Sequence, residues 1–205
     1  MLTHIRHSEK VFVMKRLLLI LILTFSFQSW TMADDIREFE VEGISIGDSA
    51  LDYFSKETLN KKKRDWFNNN EYSISAGLES SSLKTFDKMQ FVYLTKDSIY
   101  KLEGIEAIKF YKDNINDCYK LFDQTFLEVK ELFSDVSFTE KTETKHPGDK
   151  VGTTMVTQQY IIFKNGDAVQ LFCEDWSIES GYTDGLRISI RTNKYRDFLS
   201  FKAYN

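Results

Sequence analysis

Two apolar rhythms alternate along this chain. Over residues 72–78, 88–95 and 99–111, aromatic and β-branched side chains alternate or cluster as they do in strands. From about residue 114 the step changes to three and four. Ile115, Cys118, Phe122, Phe126, Val129 and Phe133 then fall on one helix face. Residues 136–142 alternate again, 154–163 read as a strand and 168–176 as its return. Leu186, Ile188 and Ile190 alternate cleanly with Arg187, Ser189 and Arg191. Residues 48 to about 64 read as helix in two pieces, with Ser55 placed to cap the second. A short helix opened by Asn193 carries Tyr195, Phe198 and Leu199. Lys96-Asp97 and Asn165-Gly166 are the hairpin turns, and Gly104 marks a bend.

The order is helix, three strands, helix, three strands, short helix. It predicts an α+β fold: a tandem repeat of helix plus three antiparallel strands, with a short C-terminal helix. The repeats would span residues 34–112 and 113–205. Two matches at one offset of 69 residues suggest duplication. Ile46-Gly47-Asp48-Ser49 matches Ile115-Asn116-Asp117-Cys118, and turn residue Asp97 matches Gly166.

Residues 1–33 read as a secretory signal peptide. Lys15-Arg16 precede an unbroken apolar run from Leu17 to Leu23, and Thr31-Met32-Ala33 supplies a cleavage site. A signal starting at Met14 would be well formed. The apolar run is shorter than the roughly 20 residues that span a bilayer, so no membrane span is expected in the mature chain. Without the leader's four basic residues (Arg6, Lys10, Lys15, Arg16) and one acid (Glu9), the formal charge moves from −4 to −7. Such a balance disfavours nucleic acid as a partner. Lys61-Lys62-Lys63-Arg64 therefore reads as a solvated helix face rather than a nucleic-acid signal. The expected location is periplasmic or secreted. There the two cysteines, Cys118 and Cys173, are expected to form a disulfide joining helix to sheet.

Gly47-Asp48-Ser49 resembles the nucleophile turn of GDSL (SGNH) hydrolases. That resemblance implies Ser49 as nucleophile with a histidine base, and His146 is the one histidine after the leader. His146 lies far from the C-terminus, where the family keeps its base. Asn114 stands where the family's oxyanion block has glycine, and the strand runs lack β-α-β alternation. A capping role is preferred: Asp48 (or Ser49) and Asp117 at the starts of the two helices.

Glu174, Asp175, Glu179 and Asp184 read as a solvated acidic loop, lacking calcium-loop spacing. One histidine and two distant cysteines make no zinc set, so no metal and no cofactor are expected. The same loop, with His146, makes a candidate binding loop: Trp176, Tyr182 and His146. The tandem plan resembles the β-lactamase-inhibitor-like fold and the SmpA/OmlA-type modules of the bacterial envelope. The stretches 42–49, Asn116-Asp117-Cys118-Tyr119 and 145–150 are similar to an uncharacterised family of small exported bacterial proteins. The resemblance implies export only. The expectation is a non-enzymatic module that binds an envelope protein or a small ligand across an exposed sheet face. A Ser49/His146 hydrolase is the alternative, and an inhibitor docking an enzyme on a concave sheet is a third.

Overall fold

The computed structural model describes residues 35–112, 114–146, 148–149 and 152–205. The expected signal peptide lies outside them. Nine strands form one antiparallel sheet: β1 (Lys63–Arg64), β2 (Tyr72–Leu78), β3 (Lys88–Leu94), β4 (Leu102–Phe110), β5 (Val136–Phe138), β6 (Thr142–Lys145), β7 (Met155–Phe163), β8 (Ala168–Asp175) and β9 (Gly185–Arg191). The spatial order is β1-β2-β3-β4-β9-β8-β7-β5, with β6 also on β7. The helices are α1 (Lys56–Lys61), α2 (Ile115–Leu132) and α3 (Asn193–Phe201). Fold class is thus α+β and mostly sheet, and the six long strands are those the alternation marks.

The two halves of the chain meet at β4 and β9, paired over seven residues from Gly104↔Arg191 to Phe110↔Gly185. Strand order is symmetric about this seam, yet both halves contribute to one core. Met89, Phe91 and Ile105 from the first half share it with Phe122, Leu171 and Ile188 from the second. The segment before α1 adds Ile36, Phe39, Val41, Ile44 and Ile46, all buried. The turn match behind the 69-residue offset does not hold. Asp97 belongs to the β3–β4 turn, whereas Gly166 belongs to the β7–β8 turn, which is not its equivalent in the symmetric order.

Residues 48–64 hold two short helical pieces and end as strand rather than helix. A 3₁₀ turn covers Ala50–Asp52, α1 follows, and Lys63–Arg64 leaves the helix to become edge strand β1. The first piece takes the second of its two candidate caps, and the caps of α2 and α3 differ from expectation. Ser49, not Asp48, accepts from the Leu51 N–H. Asp48 instead accepts from the Ser45 N–H and the Tyr53 hydroxyl, closing the preceding turn. Asn114, not Asp117, caps α2, and Asp117 sits in the first turn, paired with Lys120. Thr192 rather than Asn193 caps α3, while Ser55 caps α1 as expected.

Gly104 is not a bend but a tight contact. A Cβ there would meet the Tyr195 ring at 3.0 Å and Val92 Cβ at 3.1 Å. The bulge falls one residue earlier, at Glu103, where the β3 register shifts.

The apolar stripe of α2 (Cys118, Phe122, Val129) lies on β8 and β9. The Cys118–Cys173 disulfide fixes it there, with both cysteines fully buried and Cα atoms 6.1 Å apart. Glu42 anchors the N-terminal segment. Its φ of 57° is unfavourable for a residue with a Cβ. Its carboxylate offsets this by accepting from the N–H groups of Lys84, Thr85 and Phe86. Burial opposes the charge, but these bonds outweigh it and hold the carboxyl below its usual range.

Two stability tests follow from these anchors. The disulfide closes a separation of 55 residues, so Cys118→Ala with Cys173→Ala is expected to cost about 4 kcal/mol in urea unfolding. Glu42→Gln is expected to cost about 1–2 kcal/mol at neutral pH. Because the folded carboxyl has the lower pKa, its contribution is complete above the unfolded value of 4.5. It is lost as pH falls through the folded value, so wild type and variant should converge in acid.

Candidate functional site: the polar face of the central strands

Alternation sorts the central strands into two faces. Val169, Leu171 and Cys173 of β8, with Leu186, Ile188 and Ile190 of β9, turn toward α2. Their neighbours Gln170, Phe172 and Glu174, and Arg187, Ser189 and Arg191, must therefore turn to the other side. Helix α3 closes part of that side, packing Tyr195 and Phe198 on Tyr72, Ile74 and Val92. Among the described residues no helix makes extensive contact with β7 or β8 on that face.

An ion-paired network crosses this face. Arg187 of β9 donates from Nη1 to Glu106 Oε1 of β4 at 2.7 Å, and from Nε to Glu174 Oε2 of β8 at 2.7 Å. Arg191 Nη2 lies 3.9 Å from Glu106 Oε2. Both carboxylate side chains are about nine-tenths buried, at 10% and 8% exposure. Burial disfavours the guanidinium charge, but the two carboxylates more than compensate and hold Arg187 above its ordinary pKa. Glu174 is therefore not part of a solvated loop: register puts it opposite Val156 and Gly185, inside the sheet.

The structure brings the three loop candidates together beside this network. The His146 ring packs at a tilt with its centroid 4.5 Å from that of Trp176, and Trp176 lies 4.6 Å from Tyr182. Trp176 Nε1 donates to Glu174 Oε2 at 3.3 Å, and His146 Nε2 lies 3.7 Å from Glu174 Oε1. Backbone bonds position the row. The Trp176 N–H donates to Asp184 and the Ser177 N–H to Thr154 Oγ1. Burial, with Asp175 nearby, raises the Asp184 carboxyl despite the Trp176 bond. The outer end of the row is open, with Tyr182 69% and Ile178 95% exposed.

Ser49 and His146 are not brought together. The Ser49 hydroxyl donates to the Ile99 carbonyl at 2.6 Å, and Ser49 bridges Lys101 before β4 begins. His146 contacts Glu174, which pairs with Gly185 opposite the last residue of β4. A strand of nine residues, roughly 30 Å, separates the two ends. The sheet is antiparallel throughout, so no strand-to-helix nucleophile turn of the hydrolase kind exists in it.

Sequence reasoning singled out neither Arg187 nor its partner Glu106. The signal for Glu106 was a lone acid between Ile105 and Ala107, facing Ser189 across β9 and diagonal to Arg187. Among the described residues no group of three or more His, Cys, Asp or Glu is placed to hold a metal ion. No described helix is long and apolar enough to cross a membrane. Comparison with protein-family models, with curated proteins and with solved structures gives no match for this chain.

Arg187→Met leaves two buried carboxylates facing each other. It is expected to cost about 2–3 kcal/mol in urea unfolding, at the low end for broken buried pairs because the guanidinium keeps some solvent contact. Adding Glu106→Gln and Glu174→Gln should restore most of that loss.

Proposed function

We propose that this chain is an exported, periplasmic, non-enzymatic binding module. It engages an envelope protein or a small ligand through the polar face of its central strands and the aromatic row at its end. The observation that carries the reading is the continuous array Tyr182–Trp176–His146–Glu174–Arg187–Glu106, which spans two loops and three strands and ends in exposed apolar side chains. Half-buried aromatic rings beside fixed charges favour binding, since they offer large contact area and directional bonds at small entropic cost. The buried disulfide and the leader pattern support export into an oxidising compartment. The symmetric strand order suits the likeness to tandem envelope modules. Ser49, engaged with backbone, gives no support to ester hydrolysis.

The test is affinity capture from the protein's own envelope extract, run in parallel with wild type and with Tyr182→Ala/Ile178→Ser. Both positions are exposed, so the fold should be unaffected. A partner bound through this row should fall by about 30-fold or more in recovery, the loss typical of a hot-spot aromatic. Identical recovery from both proteins would remove the basis for the assignment.

A further inference from the structure

The basic run Lys61-Lys62-Lys63-Arg64 plays no part in the site above. Its surroundings are not those of a helix face. Lys61 ends α1, and Lys63 and Arg64 form the outermost strand on the β2 side of the sheet. Lys61, Lys63 and Arg64 are exposed. Among the described residues no carboxylate lies within ion-pair distance of any of the four. Asp65 is the one acid adjoining the run.

The next residues tie this edge to the end of α3. Phe67 packs 5.0 Å from Phe198 and 6.0 Å from Tyr204. The Asn68 N–H donates to the Ala203 carbonyl at 2.8 Å, and Asn68 Nδ2 to the Tyr204 carbonyl at 3.0 Å. Between the cations and this clasp stands Trp66, 51% exposed. At the end of α3, Phe201 is 70% and Tyr204 64% exposed.

We propose that this corner is a contact surface for an anionic phospholipid bilayer. Exposed Trp and Tyr beside Lys and Arg are the side chains that settle at a headgroup interface. There the rings enter the acyl boundary and the cations meet lipid phosphates. Charge complementarity singles out the corner. The chain carries a net −4, so an anionic surface repels the body, while residues 61–65 hold four cations against one acid. The attraction is thus confined to one edge and orients the protein, edge down. A phosphate backbone in nucleic acid would also meet the cations. A duplex, whose base faces are covered, would leave the exposed Phe201 without a partner, and it would face the same repulsion from the body.

The experiment uses the full chain and vesicles of phosphatidylcholine, with and without phosphatidylglycerol. The neutral vesicles read any partitioning by the apolar leader run, which every variant shares. Lys61→Ser/Lys63→Ser/Arg64→Ser is expected to lower partitioning onto anionic vesicles by roughly 100-fold at low salt. Each cation near such a surface is worth a factor of about five. Binding to neutral vesicles should not change. Trp66→Ser/Phe201→Ser should weaken anionic binding by a similar factor at low and high salt, and wild-type binding should fall steeply with added salt. Three results would overturn the proposal: equal binding of wild type to both lipid mixtures, an unaltered triple variant, or oligonucleotide binding that depends on the three cations while vesicle binding does not.

Discussion

The antiparallel seam between β4 and β9 sets what every neighbouring element can do. Its seven residue pairs join the two halves of the chain into one sheet, and its register allots each side chain to a face. Ile105, Ala107, Leu186, Ile188 and Ile190 are thereby turned to the core under α2, and Glu106, Arg187 and Arg191 to the opposite face. A slip of one residue would send the charges into the core and the isoleucines out. Core and candidate site are therefore two sides of the same ladder, and neither can change register without the other.

The two sides are stabilised differently. Under α2 the sheet is sealed by apolar packing and by a covalent link from Cys118 to Cys173. On the other face Arg187 is fixed by two carboxylates from two flanking strands. A charge cluster of this kind adds little net stability, because desolvation offsets most of the Coulomb attraction. It does impose geometry: the guanidinium fork fixes Glu174, and Glu174 in turn holds the Trp176 indole. The network thus fixes the geometry of this face more than it adds folding energy.

The proposed lipid-facing corner and the proposed binding face lie at different parts of the sheet. One is at the β1 edge, the other on β8, β9 and the loop after β8. A protein held by one edge would leave the other region directed away from the surface, free to meet a partner.

Periodicity alone located the six long strands and the long helix, because each buries one face and its spacing follows from backbone geometry. The pairing of the two cysteines came from their even count in a chain with an export signal, and periodicity placed one on the helical stripe and one on a strand's apolar face. The short elements were out of its reach. Lys63-Arg64 became a strand only because β2 presented a free edge, and the caps fell to Ser49 and Asn114 because chain entry angles decide which oxygen meets which N–H. The candidate site was half legible. Trp176, Tyr182 and His146 stood out by residue type, and the row they form depends on a loop closing over the end of β8. Sequence by itself determined the spacing of apolar and polar positions, and so the faces of the long elements. Tertiary structure alone decided which strands became neighbours, and so which charges could meet: Glu106 and Arg187 are 81 residues apart and share a bond only across the seam.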